Sequence, residues 1–211
     1  MVKAVVMAAG QSLYDEDVIE KIKLYCLSEV EDIIILSTDR TLKYVLDSGI
    51  IPDYICVNEN IIRPSDNYDF LPDFFYHGIV KSYASEITLY HNSMLTPERV
   101  KILEDMGFKT MQFNRQGCGN FDSINTGGNC GMALVQIARH ILKIDRIGII
   151  GLDLDNTTSY ENIDASHELW HTKNKIVDDF LTMGQSVYNL TRMGNVHGKG
   201  IVETSIDDFL K

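Results

Sequence analysis

Between residues 126 and 155 the chain passes from a glycine-rich turn through an apolar helical pattern into a strand that ends in carboxylates, and few folds accommodate that order. Gly127, Gly128 and Gly131 lead into Met132, Leu134, Val135, Ile137, Ala138, Ile141 and Leu142, which recur at helical spacing. Ile147–Leu152 follows as a buried strand. This is half of a βαβ unit. Asp153 and Asp155 fall just past the strand's carboxyl end, where open α/β sheets place their ligands, so the stretch reads as one wall of a binding site.

The preceding chain repeats the alternation. Lys3–Met7 is a short apolar run, followed by the small-residue loop Ala8-Ala9-Gly10-Gln11-Ser12-Leu13 and a helical pattern from Tyr14 to about Leu27, with apolar positions at Val18, Ile19, Ile22, Leu24 and Tyr25. Asp32–Ser37 is apolar without alternation, as expected of a strand covered on both faces. Thr38 and Asp39 suit a cap for the helix that stops at Gly49, and Tyr54–Val57 is a third strand. Ser85–Tyr90 and Phe108–Phe113 read as further strands, separated by a helix that Thr96, Pro97 and Glu98 open. Ser186–Leu190 is a late strand, and the tail from Thr204 is a short acidic helix. Strands alternating with helices at this spacing predict an α/β fold, a three-layer, mostly parallel, doubly wound (Rossmann-like) sheet. The expectation is one domain over residues 1–211, with an irregular, aromatic-rich excursion at 61–78.

At the carboxyl edge of such a sheet four loops converge. Gly10, Gln11 and Ser12 form a first loop that lets backbone approach a ligand; equally, it is an ordinary βα turn with Ser12 as the helix cap. Asn58, Glu59 and Asn60 end the third strand and offer amides and a carboxylate to a nucleotide, or simply turn the chain. Thr126, Gly127, Gly128 and Asn129 supply N–H groups at a helix start, which can hold a phosphate without side-chain cations. Asp153 and Asp155 complete the set. His167 and His171 lie four residues apart in a polar segment without an HExxH pattern, so a single histidine acting as a general base or as a phosphate-binding cation is preferred to a metal pair, and an ordinary surface role stays open.

Composition narrows the partners. A formal net charge of -11, with no cluster of Lys or Arg, disfavours nucleic acid. No run of 18 apolar residues and no signal-like start occur, so a soluble, cytoplasmic protein without a transmembrane segment is expected. Cys26, Cys56, Cys118 and Cys130 form no CxxC pair and are expected to be buried free thiols. The loop AAGQSL lacks GxGxxG, and GxxxxGK[ST] is absent, which disfavours dinucleotide enzymes and P-loop kinases.

The ordered series AAGQSL, TLKYVLDSGIIPDY, GGNCGMALVQIAR, GIIGLDL and VYNLT resembles the MptE-like family over about residues 3–202. That family includes archaeal 6-hydroxymethyl-7,8-dihydropterin diphosphokinases and the central domain of Maf flagellin glycosyltransferases. The arrangement is also similar to GPSL-type bacterial sialyltransferases, whose first loop and strand-end Asn hold a cytidine nucleotide; Gln11 stands here in place of their proline. The resemblance implies a nucleotide-dependent transferase. In its glycosyltransferase form, a nonulosonic (sialic-type) sugar moves from a CMP donor to a surface glycan or protein, with Gly10, Ser12, Asn58 and Gly128 at the nucleotide, His171 or His167 as base, and no cofactor. In its diphosphokinase form, ATP and Mg2+ serve a pterin-type alcohol, with Glu59, Asp153 and Asp155 at the metal. Val57-Asn58-Glu59-Asn60 lacks the acidic pair expected of a diphosphokinase, which favours the former. A non-catalytic nucleotide-binding domain is the third alternative.

Overall fold

A computed structural model describes residues 2–28, 33–57, 71, 73–114, 124, 129–153, 187–191, 196 and 200–211. Its centre is one sheet of eight strands: β1 (Lys3–Met7), β2 (Ile33–Thr38), β3 (Tyr54–Val57), β4 (Thr88–Asn92), β5 (Lys109–Phe113), β6 (Arg146–Ile150), β7 (Val187–Asn189) and β8 (Ile201–Glu203). The order across the sheet is β5-β4-β3-β2-β1-β6-β7-β8, and every described pairing is parallel. The chain winds outward from β1 to β5, returns to the other side of β1, and winds out again from β6 to β8. The order therefore reverses between β1 and β6, the topological switch point of a doubly wound sheet.

Alternate residues of each strand face opposite layers. On one face Ala4, Val6, Leu36, Cys56, Tyr90, Ile147 and Ile149 pack against α5 (Cys130–Gln136). Met132, Ala133, Leu134 and Val135 of α5 are all fully buried, as a helix apolar on every side must be. The other face is covered by α1 (Glu16–Leu27), α2 (Leu42–Asp47), α3 (Gly78–Tyr83), α4 (Pro97–Asp105) and α6 (Ile206–Leu210). Val5, Met7, Ile35 and Ile150 meet Val18, Ile19, Ile22 and Phe209 there, while Ile55, Val57 and Leu89 meet Leu42, Leu46, Val80 and Leu103. With both faces covered, the strands read as continuous apolar runs, which is why alternation is weak in the sequence.

Local chemistry sets the boundaries. The side chain of Asp15 accepts the N–H of Asp17 and caps α1, so the chain makes a separate 3-10 turn at Gln11–Tyr14 instead of one helix running from Tyr14. Thr96 accepts the N–H of Arg99, Pro97 fills the first turn of α4, and Gly107 at φ +105° closes that segment, as its sequence leads one to expect. Strand β4 runs later than Ser85–Tyr90, because a 3-10 turn occupies Ala84–Glu86 and pairing continues through His91 and Asn92. Strand β6 stops at Ile150, before Leu152, where Gly151 adopts φ +69°. Helix α3 and the edge strand β8 carry too few residues to register as periodic patterns.

Two burial expectations are corrected. Leu24 is 58% exposed: it lies two residues, some 200° of helical turn, from the core position Ile22. Cys26 is exposed near the end of α1, whereas Cys56 is buried in β3 and Cys130 is half-buried at the start of α5; Cys118 lies outside the described residues. In the described part of the aromatic stretch, Phe75 is fully buried and meets Phe108 edge to face at 6.0 Å, so it anchors the turn Asp73–Tyr76 to the core. Among the described residues no helix is long and apolar enough to cross a membrane.

Candidate functional site

Strands β1 and β6 lie side by side with Met7 opposite Ile150, and the loops that leave them stay joined. Ala8 N–H donates to Ile150 O at 2.8 Å, and Gly10 N–H donates to Gly151 O at 2.6 Å. Beyond these, the Asp153 carboxylate grips Ser12 twice. Its Oδ2 accepts the Ser12 N–H at 2.7 Å and its Oδ1 accepts the Ser12 hydroxyl at 2.5 Å. The same hydroxyl oxygen accepts the N–H of Gly151 at 2.9 Å. Ser12 and Asp153 are 1% and 3% exposed, so this is a buried, charge-assisted junction and not a surface pair.

Glycine allows this closeness. A Cβ on Gly10 would stand 2.5 Å from Gly151 O and 2.6 Å from Asp153 Oδ2. Gly151, at φ +69°, would drive a Cβ into the carbonyl of Ala8. A third glycine, Gly131, brings the start of α5 against the same junction, where a Cβ would meet Leu152 Cδ1 at 2.8 Å and Ala8 Cβ at 3.1 Å. Three segments remote in sequence thus close on one another at the switch point.

The structure places the expected site residues as follows. Gly10, Gln11 and Ser12 lie in the first loop, with Gln11 exposed and Ser12 buried. The N–H groups of Ala9 and Gln11, which alternate with those bonded across to β6, make no hydrogen bond among the described residues. Asn129 caps α5: its Oδ1 accepts the N–H of Gly131 at 2.7 Å and of Met132 at 3.2 Å, so these two donors are already satisfied. Asp153 closes on Ser12. Asn58, Glu59, Asn60, Thr126, Gly127, Gly128, Asp155, His167 and His171 lie outside the described residues.

The sequence reading passed over further polar groups at the same sheet edge. Thr41 Oγ1 lies 2.9 Å from Ser37 Oγ and 2.9 Å from Thr38 Oγ1, with Met7 O at 3.3 Å, which ties the end of β2 to the end of β1. His91 and Asn92, at the end of β4, are 5% and 0% exposed, and His91 Nδ1 lies 3.0 Å from Asn92 O. Their signal in the sequence is a polar residue closing an apolar strand, which turn chemistry produces equally well.

A doubly wound parallel sheet, with glycine-rich loops meeting at its switch point and a carboxylate held between them, is the Rossmann-like architecture of α/β folds. The family model described as 6-hydroxymethylpterin diphosphokinase MptE-like matches residues 1–159. The chain belongs to the MptE-like family. Among solved structures, the Maf glycosyltransferase from Magnetospirillum magneticum AMB-1 is similar with a TM-score of 0.65 and 17% identity, covering 96% of this chain and 33% of that one. The chain thus spans about a third of the length of that protein, and at this identity the likeness establishes the fold. No curated protein matches the chain.

Proposed function

We propose that the chain is a nucleotide-dependent transferase of the glycosyltransferase-like kind, moving a nonulosonic sugar from a CMP donor to a glycan or protein acceptor. The observation that carries this reading is the convergence of the Gly10–Ser12 loop and the Gly151–Asp153 turn at the β1/β6 switch point. The N–H groups of Ala9 and Gln11 suit an anionic ligand at that edge. Membership of the MptE-like family supports a nucleotide substrate. The similar structure bears the name of a glycosyltransferase, which supports sugar transfer. In the reaction, the acceptor hydroxyl gives its proton to His171, or alternatively His167, and its oxygen bonds to the anomeric carbon. The bond from that carbon to the donor phosphate breaks, and its electron pair leaves with CMP. Asn58, Asn60, Thr126, Gly127 and Gly128 are assigned to the nucleotide.

A second reading, ATP-dependent diphosphate transfer to a pterin-type alcohol, is favoured by the description of the matching family model. It calls on Mg2+ held by Glu59, Asp153 and Asp155, which would neutralise the transferred phosphates. Of that set the described residues include Asp153, whose two oxygens both accept from Ser12.

Calorimetric titration with CMP and with ATP, each with and without magnesium, separates the readings. Magnesium-independent CMP binding, followed by turnover of a CMP-sugar, is the expected result. ATP binding that requires magnesium supports the diphosphokinase instead, and binding of neither nucleotide favours a domain without this chemistry.

A further inference from the structure

We propose that Asp153 is a positioning residue: through Ser12 it holds the first loop in the shape that receives the nucleotide, and it contacts neither the nucleotide nor a metal. The inference rests on the nucleotide-binding reading above and gives one of its residues a different role from the metal ligand that the sequence suggests.

The hydrogen-bond inventory carries the argument. A serine hydroxyl has one proton. That of Ser12 goes to Asp153 Oδ1 at 2.5 Å, while its oxygen takes the Gly151 N–H at 2.9 Å. Asp153 Oδ2 takes the Ser12 N–H at 2.7 Å. Ser12 therefore has no proton left for a phosphate, and the carboxylate is 3% exposed. Gly10 sits against the same carboxylate, where a Cβ would lie 2.6 Å from Oδ2, so the position of Asp153 also sets how closely the loop lies on the β6 turn. Moving Asp153 towards a ligand would break both bonds to Ser12 and leave the loop beyond Gly10 without its tie to the β6 turn through the carboxylate. A charge-assisted pair of this kind costs more to leave half-made than it contributes when intact.

The test is a double-mutant cycle of S12A, D153N and the double variant, read in two independent ways. D153N can keep the acceptor for the Ser12 N–H but removes the charge and the acceptor of the Ser12 hydroxyl proton, so it weakens the junction with little change in volume. In the first readout, amide exchange followed by NMR, the Ser12 and Gly151 amides are expected to exchange at least about tenfold faster in each variant, while Val45 and Leu46 amides in α2 stay as in the wild type. In the second, CMP affinity falls by about tenfold or more in each single variant. The double variant is no worse than the weaker single, the magnesium response is unchanged, and for a CMP-sugar KM rises while kcat is retained.

Additive losses, or D153N removing magnesium-dependent binding while S12A binds as the wild type does, would overturn the proposal. So would unchanged exchange at Ser12 and Gly151. If the wild-type chain binds neither CMP nor ATP, the functional reading fails and takes the positioning role with it. That case is told apart from a failed junction because exchange at Ser12 and Gly151 still accelerates in both variants. S12A removes only a hydroxyl, and it decides the exchange readout should D153N not fold.

Discussion

Asp53 and Ile35 are joined twice: the Asp53 N–H donates to Ile35 O at 2.9 Å, and the Asp53 carboxylate accepts the Ile35 N–H at 2.8 Å. The Asp53 carbonyl in turn accepts the N–H of Thr88 at 3.0 Å. One residue thus links the entries of β2, β3 and β4 at the amino edge of the sheet. The Pro52-Asp53-Tyr54 sequence that helps mark the family is structural here, on the edge opposite the loops of the β1/β6 switch point.

Burial pushes the Asp53 carboxyl above its ordinary value, and the backbone hydrogen bonds from Ile35 and from its own chain pull it partly back. The sign follows. The contribution of the protonated acid is fully present below the unfolded value of 3.8 and is lost as pH rises through the raised folded value. Asp53→Asn keeps an acceptor for Ile35 without a charge, so its stability relative to the wild type should improve as pH rises through that range. Asp53→Ala leaves the buried Ile35 N–H unmet and should cost about 1 kcal/mol at neutral pH, a modest figure because solvent reaches the Asp53 side. Urea denaturation of the three proteins from pH 3.5 to 7 provides the check; an Asn variant that merely parallels the wild type at every pH would contradict the assignment.

Gly151→Ala should be among the most damaging single-methyl additions in the chain. The new Cβ meets the Ala8 carbonyl and stands 3.0 Å from Leu13 Cβ, at a backbone φ of +69° that side chains disfavour. A loss of about 2 kcal/mol or more is expected, with nucleotide affinity falling alongside stability because the first loop must shift. Thermal unfolding and CMP titration of the same sample measure both effects, and a wild-type Tm would refute the packing described.

Most of the layer order was legible in the sequence because it rests on local patterns. Apolar runs without alternation marked strands buried on both faces, and Thr96-Pro97 marked the start of α4. What was not legible is chiefly non-local. Ser12 and Asp153 are 141 residues apart, and nothing near either one shows that they are hydrogen-bonded. Gly10 suggests close backbone approach; only the folded chain shows that it approaches the β6 turn itself. Cys26 misled for a different reason. An apolar residue near the end of a helix can lie beyond the surface that buries the preceding turns.

Lys3 reports on docking of the final helix. Its Nζ donates to Leu210 O at 2.6 Å and lies 5.8 Å from the centre of the Tyr25 ring, while Arg146 Nη2 donates to Asp208 O at 3.1 Å. Two cations therefore meet the last carbonyls of α6, where the helix dipole favours positive charge. Lys3→Met keeps the apolar stem and removes the donor. It should cost about 1–3 kcal/mol, with exchange in α6 accelerating more than in α5. Equal acceleration in both helices would mean that Lys3 acts on the fold as a whole and not on α6.

Asn129→Ala removes the acceptor for the Gly131 and Met132 N–H groups, and about 1 kcal/mol should be lost. Asn129→Asp retains the acceptor and places an anion at the amino end of α5, so it should recover the stability. The same charge repels an anionic ligand, and nucleotide affinity should stay reduced if the crevice reaches this turn. Recovery of both properties in the Asp variant would separate Asn129 from the ligand and leave it a cap alone.

Cys26 feels the charge of the same Asp53 carboxylate. Although the residue is exposed, burial of its sulfur pushes the thiol up to about 11, and the Asp53 carboxylate adds to the rise. Since the thiolate is the nucleophile, alkylation at pH 8 should be far slower than for a free cysteine. Followed by mass spectrometry of the peptide containing Cys26, the iodoacetamide rate should climb with pH towards a midpoint near 11. Asp53→Asn removes the smaller cause and leaves the larger, so it should lower the midpoint without restoring the ordinary value of 9.0. A full return to that value would make the carboxylate the dominant influence. No movement would mean that the Asp53 charge does not act on the thiol.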